Sequence, residues 1–527
     1  MSTPYGNVIA GVRVAAQGGQ LFESRNPARP ADVVGLFARS GPQDGKAAIA
    51  AARAAWPGWA ATPAPQRASI LEMVVAALEA RTDEIARAIS REMGKVLAEA
   101  AGYDVGSAIK LGKYMVGEGQ RMSGVTVPSE MTEKFACTLR EPIGVVSVIT
   151  PWNLPMLTPA GKIFAALICG NTVVFKPSEE TAMAGHMMIE LLESAGLPPG
   201  VVNLLTGYGA EIGDVLLSDP DVDMVSFTGS TQTGRYIGGK AGAAGKKISL
   251  EMGGKNAIVI MDDADLDLAV EGAVWGGYGS SGQRCTASSR IIVHQDLHDR
   301  FLDLYASRVS ALRVGDPLDP STQLGPVVSL KQLEKIHSYT KSAVSAGARL
   351  LVGGHKLDIN NGHFYAPTLF SGVTSDMRIA QDEIFGPVVA VLKANDFAHA
   401  MALANSTSYG LSLAIYTQSI NRAFAAVRGF KSGLAYVNAP TIGSEMHLPF
   451  GGTKGTGNGT REYAQSAIED YTELKTVFVD YSGKMRHSGM DSDARRERGW
   501  TSDGLSDAEA ATLFRRDRTA VEPHSID

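Results

Sequence analysis

The feature that most constrains the fold begins after Pro142, where short β-branched runs alternate with helix-length stretches. Residues 145–149 read Val-Val-Ser-Val-Ile, a buried strand; a helix-like segment follows, then a strand at 172–175. Next come a helix over 181–195, a strand at 201–205, a helix, a strand at 224–227 and another helix. A second series starts at 257–260 and continues through about Val437. Strands alternating with helices make β-α units, which build parallel sheets covered on both faces. The chain therefore reads as α/β, with two doubly wound parallel-sheet domains that join near Glu251. Ligands of such sheets sit at the carboxyl ends of strands, and domain junctions favour pockets.

The flanks read differently. Residues 1–40 show short strands and turns, and from Asp44 to about Gly119 the periodicity is helical. Ile70, Met73, Val74, Ala77 and Leu78 recur at three- and four-residue spacing, which predicts one apolar helix face. The Ala-rich stretch 47–55 predicts an earlier helix that ends at Pro57. From about Lys484 onward Arg, Asp, Glu and Ser dominate. There the Ser506 to Glu509 spacing fits a capped short helix ending near Arg516, and the tail otherwise reads as a mobile extension.

Composition narrows the function classes. At 527 residues the chain has room for two to four domains, and a net charge of −6 leaves no electrostatic footprint for nucleic acid. No apolar run approaches the ~18 residues of a membrane span. No basic segment followed by an apolar core opens the chain. Cys137, Cys169 and Cys285 lie far apart, with neither disulfide nor metal-site spacing. A soluble cytoplasmic protein without a metal is the expectation.

Two segments carry the chemistry. Cys285 sits in Ser-Ser-Gly-Gln-Arg-Cys-Thr-Ala-Ser (280–288), small and polar residues among which a substrate can reach a thiol. Glu251 sits in Ser-Leu-Glu-Met-Gly-Gly-Lys-Asn (249–256), before two glycines that let backbone approach other groups closely. A thiol and a carboxylate on two turns, joined by a helix-like segment, suit covalent catalysis with a separate base. Read singly, each is also compatible with an inert cysteine and a turn glutamate.

Other segments look built for a cofactor. Phe-Thr-Gly-Ser-Thr-Gln-Thr-Gly (227–234) follows a strand and opens a helix, where a pyrophosphate is favoured. Gly229 permits a tight turn there, and Ser230 and Thr231 offer hydroxyl and amide donors. The glycines of 207–213 are spaced one residue too long for the dinucleotide fingerprint and read as an ordinary strand-to-helix turn. Lys176 and Glu179, just past a strand, can both reach ribose hydroxyls or form a surface ion pair. Asn153, in Pro-Trp-Asn (151–153), can donate its amide into the crevice or cap the next helix.

Together these segments resemble the aldehyde dehydrogenase superfamily, and within it the NAD-dependent semialdehyde dehydrogenase branches. The similarity runs from about Phe22 to Val479, with the motifs in the family's order. It implies a Rossmann-like cofactor domain (1–120 and 142–250), a catalytic domain (251–457) and a small β oligomerisation element (121–141 and 458–483). Val477 to Val479 would add an edge strand to a partner subunit, giving a homodimer or homotetramer. The resemblance makes Cys285 the nucleophile, Glu251 the base that activates water, and Asn153 an oxyanion donor. It places NAD against Trp152, Lys176, Glu179, Gly229, Ser230, Gly234, Glu383 and Phe385, the last two from Glu-Ile-Phe-Gly-Pro (383–387). A carboxylate at Glu179 repels a 2′-phosphate, which favours NAD over NADP.

The family pattern also puts Leu154, Thr158, Gly161, Arg284, Thr286, Ser444 and Phe450 in the substrate pocket, smaller and more polar than an aromatic-lined tunnel. Arg284 serves one of three ends: tuning the thiol, a structural ion pair, or gripping a substrate carboxylate. The likeness of 282–290 to dehydrogenases of carboxylate-bearing semialdehydes favours the grip, with Gly161 and Ser444 leaving room for a polar tail. Departures are Met252 where Leu is commoner, the segment 453–463, and the extra tail. Two rivals remain: a CoA-acylating semialdehyde dehydrogenase, and a non-enzymatic protein on the same fold.

Overall fold

The continuous apolar runs become strands buried on both faces. In the computed structural model, which describes residues 3–485, the first sheet has seven strands. Their order is Lys247–Glu251, Met224–Thr228, Val145–Ile149, Thr172–Lys176, Val202–Leu204, Asn7–Ile9 and Val12–Val14. The first five run parallel; the two N-terminal strands are antiparallel, so the sheet is mixed. From Val145–Ile149 the chain steps outward to one side, then crosses back to Met224–Thr228 on the other. That reversal opens a crevice at the carboxyl ends of these two strands, where ligands of open α/β sheets bind.

The second sheet also has seven strands, in the order Arg349–Val352, Thr368–Ser371, Val388–Ala394, Arg290–His294, Ala257–Ile260, Ser412–Tyr416 and Leu434–Val437. Only Arg349–Val352 is antiparallel to its neighbour. Ile258, Val259 and Ile260 are fully buried, which explains why this strand reads as unbroken apolar sequence rather than an alternation. Val145–Ile149 and Ala257–Ile260 match the expected bounds; the strands expected at 172–175 and 224–227 run one residue longer, and that at 201–205 is one residue shorter at each end.

The helical region resolves into Pro42–Ala61, Ala64–Ala80, Thr82–Met93, a π-helical stretch Ala100–Val105, and Gly106–Gln120. Pro57 does not end the first helix, which continues through it to Ala61. The lost bond costs one rung near the C-terminus, and buried Trp59 anchors the last turn by donating to the Leu167 carbonyl at 3.2 Å. Met73 is 56% exposed and leaves the apolar face expected for it; Leu71, Val74, Val75 and Leu78 form that face instead. The helix packs against three others, Gly106–Gln120, Leu157–Ile168 and Ala182–Ser194, so its buried stripe is offset from the spacing that Met73 suggested.

Among the described residues, 125–139 together with 476–485 form a second compact unit, with narrower bounds than the expected oligomerisation element. Within it Thr126–Val127 pairs antiparallel with the start of Lys134–Pro142, and Tyr481 N–H donates to Glu133 O at 2.9 Å. Val127, Phe135 and Phe478 are exposed there. Residues 458–475 belong to the main unit instead, because Ala464–Asp470 sends Ala467 and Ile468 into the core beside Leu111 and Phe164. The tail features expected around Ser506 lie outside the described residues. Among the described residues no helix is long and apolar enough to cross a membrane.

Candidate active site

Glu251 is the last residue of the edge strand of the first sheet, and Asn256 immediately precedes Ala257–Ile260 of the second. The two sheets therefore meet with opposite ends: carboxyl ends from the first, amino ends from the second. Glu251 and Cys285 are joined by a strand and the helix Leu266–Tyr278, not by a helix alone. After that helix, Ser280 and Ser281 take left-handed φ of 51° and 55°, followed by Gly282 at 67°. Such angles are uncommon for serine and mark a turn that its surroundings hold in place.

Asn256 fixes the nucleophile loop. Its Nδ2 donates to the carbonyls of Cys285 (2.8 Å) and Ala287 (3.0 Å), while its Oδ1 accepts from Ser412 N–H at 3.0 Å. A Cβ on Gly254 would lie 2.5 Å from the Cys285 carbonyl oxygen, and one on Gly253 would lie 2.4 Å from Glu383 Oε2. The glycine pair thus lets the exit from Glu251 pass between the thiol loop and Glu383.

Cys285 keeps some exposed surface but is densely surrounded. Burial first, then the carboxylates of Glu383, Glu251 and Glu462, push its thiol up to about 12; a hydrogen bond with the Thr286 backbone opposes this. Glu251 is 2% exposed, and among the described residues neither of its carboxyl oxygens has a hydrogen-bond partner. Burial, reinforced by Glu462, holds it well above the usual carboxylate range, with Lys162 and Arg461 pulling the other way. Glu462 itself pairs with Lys162 and accepts from Thr228 Oγ1 at 3.1 Å. Lys162 also donates to Ser226 Oγ at 3.0 Å. Asn153 is 5% exposed at the end of the central strand, and its carbonyl accepts from Lys95 Nζ at 2.8 Å.

The residues expected to hold a dinucleotide lie just past strands of the first sheet or beside the Gly253–Gly254 pair. Lys176 Nζ is 3.6 Å from Glu179 Oε2, and its one hydrogen bond among the described residues is to the neighbouring Pro177 carbonyl at 2.8 Å. Lys176 is buried while Glu179 is partly exposed, so this is not a freely solvated surface pair. Ser230 caps the helix Thr231–Ala243 by accepting from Thr233 N–H, and the turn at Gly229 is tied to the Glu251 carbonyl at 3.0 Å. Thr231 Oγ1 is buried beside the Tyr409 hydroxyl. Gly234 works by packing, since a Cβ there would lie 2.4 Å from Met252 Sδ. Glu383 Oε1 accepts from Gly254 N–H at 2.9 Å, and Phe385, at φ 63°, meets Trp152 edge-on at 5.3 Å. A helix N-terminus, a Lys–Glu pair and a second carboxylate fit a pyrophosphate and two ribose diols.

The model of the aldehyde dehydrogenase family matches residues 14–477. The chain belongs to that family. It is 41% identical over 478 residues to an alpha-ketoglutaric semialdehyde dehydrogenase of Bacillus subtilis, covering 90% of this chain and 98% of the relative. It is 40% identical to a 2,5-dioxopentanoate dehydrogenase of Saccharolobus solfataricus, covering 87% of this chain and 96% of the relative. A crystal structure of betaine aldehyde dehydrogenase from Staphylococcus aureus in complex with NAD+ superposes with a TM-score of 0.89 at 34% identity, covering 91% of this chain and 96% of that one.

Within this aldehyde dehydrogenase the expected substrate residues are placed unevenly. Leu154, Thr158 and Thr286 are buried, whereas Ser444 and Phe450 keep partial exposure. The space facing Gly161 is not open, because a Cβ there would lie 2.8 Å from the Tyr463 ring. Tyr463 and Tyr103, absent from the expected set, both lie within electrostatic reach of Cys285. Tyr103 also bonds Ser444, and Phe450 packs on Tyr463 with ring centres 5.4 Å apart. Aromatic rings thus stand near Cys285 beside the residues expected to line the substrate pocket. Arg284 is 4% exposed; Nη2 pairs with Glu99 Oε2 at 2.7 Å and Nε donates to Ser280 Oγ at 3.0 Å. Its guanidinium also lies over the Tyr103 ring at 4.3 Å and the Trp275 ring at 5.2 Å. That is the ion-pair arrangement among the three ends considered for it.

Proposed function

We propose that this aldehyde dehydrogenase uses NAD to oxidise a carboxylate-bearing ω-semialdehyde to the diacid, with 2,5-dioxopentanoate as the first substrate to try. The observation that carries the chemistry is a Cys285 thiol within electrostatic reach of a buried Glu251 whose carboxyl oxygens have no hydrogen-bond partner among the described residues. The named substrates of two relatives at about 40% identity support the substrate class.

The Cys285 thiol loses its proton to solvent as its sulfur attacks the aldehyde carbon, and the oxygen that becomes negative is met by the Asn153 amide and the Cys285 backbone N–H. NAD, when bound, supplies the hydride acceptor and a positively charged ring. A tetrahedral carbon gives up hydride more readily than a planar aldehyde, so the thiohemiacetal becomes a thioester on Cys285. Glu251 then takes a proton from water, which attacks the thioester and releases the acid and the thiol. Lys176 and Glu179 would hold the adenosine ribose, the turn at Gly229 and Ser230 would hold the pyrophosphate, and Glu383 would hold the nicotinamide ribose. Three free cysteines fit a reducing cytoplasm, and exposed Val127, Phe135 and Phe478 on the small unit fit a homo-oligomer.

The test is steady-state kinetics with NAD on 2,5-dioxopentanoate, pentanal and benzaldehyde, with and without CoA. A higher kcat/KM for the keto acid and release of free acid are expected. Acyl-CoA formation would instead establish the acylating rival, and equal kcat/KM values would remove the substrate class.

A further inference from the structure

One segment, residues 95–105, reaches both halves of the site through two separate buried ion pairs. Lys95 and Asp104 pair at 2.7 Å with both side chains fully buried. Lys95 Nζ also donates to the Asn153 carbonyl at 2.8 Å. Asp104 Oδ1 accepts from the N–H groups of Met156 (3.2 Å) and Leu157 (2.8 Å), so it caps the helix Leu157–Ile168 that follows Asn153. Five residues before Asp104, Glu99 accepts from Ser280 N–H at 3.0 Å, from Ser280 Oγ, and from Arg284 Nη2 at 2.7 Å. These bonds span the left-handed turn at Ser280 and Ser281 and end one residue before Cys285. Tyr103 of the same segment lies against Arg284.

Between the two pairs the backbone is π-helical, Ala100–Val105, a form found mostly at functional sites. Buried ion pairs are weak sources of stability, and apolar groups of similar size often replace them without loss. Two such pairs on one irregular turn, each aimed at a different part of the reacting centre, call for a reason other than stability.

We infer that residues 95–105 are a positioning clamp: Lys95 and Asp104 aim the Asn153 amide, Glu99 sets the turn carrying Cys285, and the segment fixes the two relative to each other. None of the three carboxylate and ammonium groups touches substrate; they act through Asn153 and through Ser280 and Arg284. The inference rests on the proposed roles of Asn153 and Cys285. A displacement of about 1 Å at a reacting centre can cost on the order of 10²-fold in rate.

The test is a double-mutant cycle with Asn153→Ala. Lys95→Met combined with Asp104→Leu removes both charges together, and Asp104→Asn is the milder variant should that pair fail to fold. Each is measured alone and on the Asn153→Ala background for kcat, KM and NAD affinity. A clamp acting through Asn153 predicts a fall in kcat of about tenfold or more, up to the ~10²–10³ of an oxyanion donor. It predicts NAD affinity within about twofold and no further loss on the Asn153→Ala background. For the second half, Glu99→Ala should lose about tenfold or more in kcat, while Glu99→Gln, which keeps an oxygen for Ser280 N–H, recovers most of it. Additive losses, unchanged kcat, or equal failure of Glu99→Ala and Glu99→Gln would overturn the clamp. Thiol acylation by 4-nitrophenyl acetate reads the same variants without aldehyde or NAD. An enzyme that oxidises no aldehyde would therefore sink the proposed function while leaving the clamp testable.

Discussion

Cys285 should be largely a neutral thiol in the free enzyme, and the pH dependence of its alkylation measures this. Burial and three neighbouring carboxylates move it from the ordinary value of 9.0 to about 12. At pH 8 an ordinary thiol is about one-tenth thiolate, whereas a group at about 12 is thiolate in ~1 molecule in 10⁴. The expected suppression of reactivity is thus on the order of 10³-fold, an upper bound because some sulfur surface remains exposed to screening water. The assay is alkylation by iodoacetamide between pH 6 and 10, followed at Cys285 by peptide mass spectrometry so that Cys137 does not obscure it. The rate should climb about tenfold per pH unit across the whole range, without a plateau. Glu383 heads the carboxylates acting on the thiol, so Glu383→Gln should raise the rate at every pH. A plateau between pH 7 and 8 would refute the reasoning, because it would mean a cation or hydrogen bond stabilises the thiolate against the carboxylates.

Cys285→Ala should abolish oxidation yet leave NAD affinity nearly unchanged in a fluorescence titration. Glu251→Gln should give a stoichiometric burst of NADH and then a steady state slower by about 10²-fold or more. The raised carboxyl of Glu251 favours its neutral form when folded, so its share of stability is full at low pH and lost as pH rises through the folded value. Glu251→Gln should therefore melt higher than wild type in alkaline buffer, with the difference shrinking on acidification. Glu179→Thr should narrow the preference for NAD over NADP, and wild-type kcat/KM values equal for both cofactors would contradict its assigned role. Arg284→Met should lower the melting temperature and reduce turnover of an acid substrate and its uncharged analogue alike. It leaves Glu99 buried without its ion-pair partner, at a cost of about 3–5 kcal/mol.

What was legible in the sequence follows from how local its causes are. Val145–Ile149 and Ala257–Ile260 were readable to the residue because strands buried on both faces need unbroken apolar side chains. The turns at Gly229 and Gly254 were readable because backbone close approach demands glycine there. Pro57 misled because a proline near a helix end removes only one rung, and tertiary anchoring at Trp59 outweighs it. Met73 misled because spacing alone cannot say which of two adjacent stripes meets the neighbouring helices. Tyr103, Lys95 and Glu99 were illegible for a different reason. Glu99 meets Arg284 across 185 residues of sequence, and the π-helical turn that presents it has no repeat for a helical period to detect. Tyr463 was hidden too, sitting at φ 65° as the last residue of the Gly-rich segment that departs from the family form.

The same distance between sequence and contact changes how the substrate class is argued. An arginine directly before a nucleophile invites a reading in which its charge grips a substrate carboxylate. In the folded chain that charge is neutralised by Glu99, covered by two aromatic rings, and spent on holding Ser280. A guanidinium already paired with a buried carboxylate must lose that partner before it can serve another, and a buried carboxylate left behind is costly. Under the proposed substrate class, discrimination between an acid and a neutral aldehyde then falls to neutral groups near Cys285. Tyr103, Ser444, Tyr463 and Phe450 offer hydroxyls and apolar surface, not a cation. Hydrogen-bonding hydroxyls suit the keto oxygen of a 2-oxo acid as well as its carboxylate. A preference that depends on them should show up when the keto group is removed as much as when the carboxylate is, and succinate semialdehyde beside 2,5-dioxopentanoate separates the two.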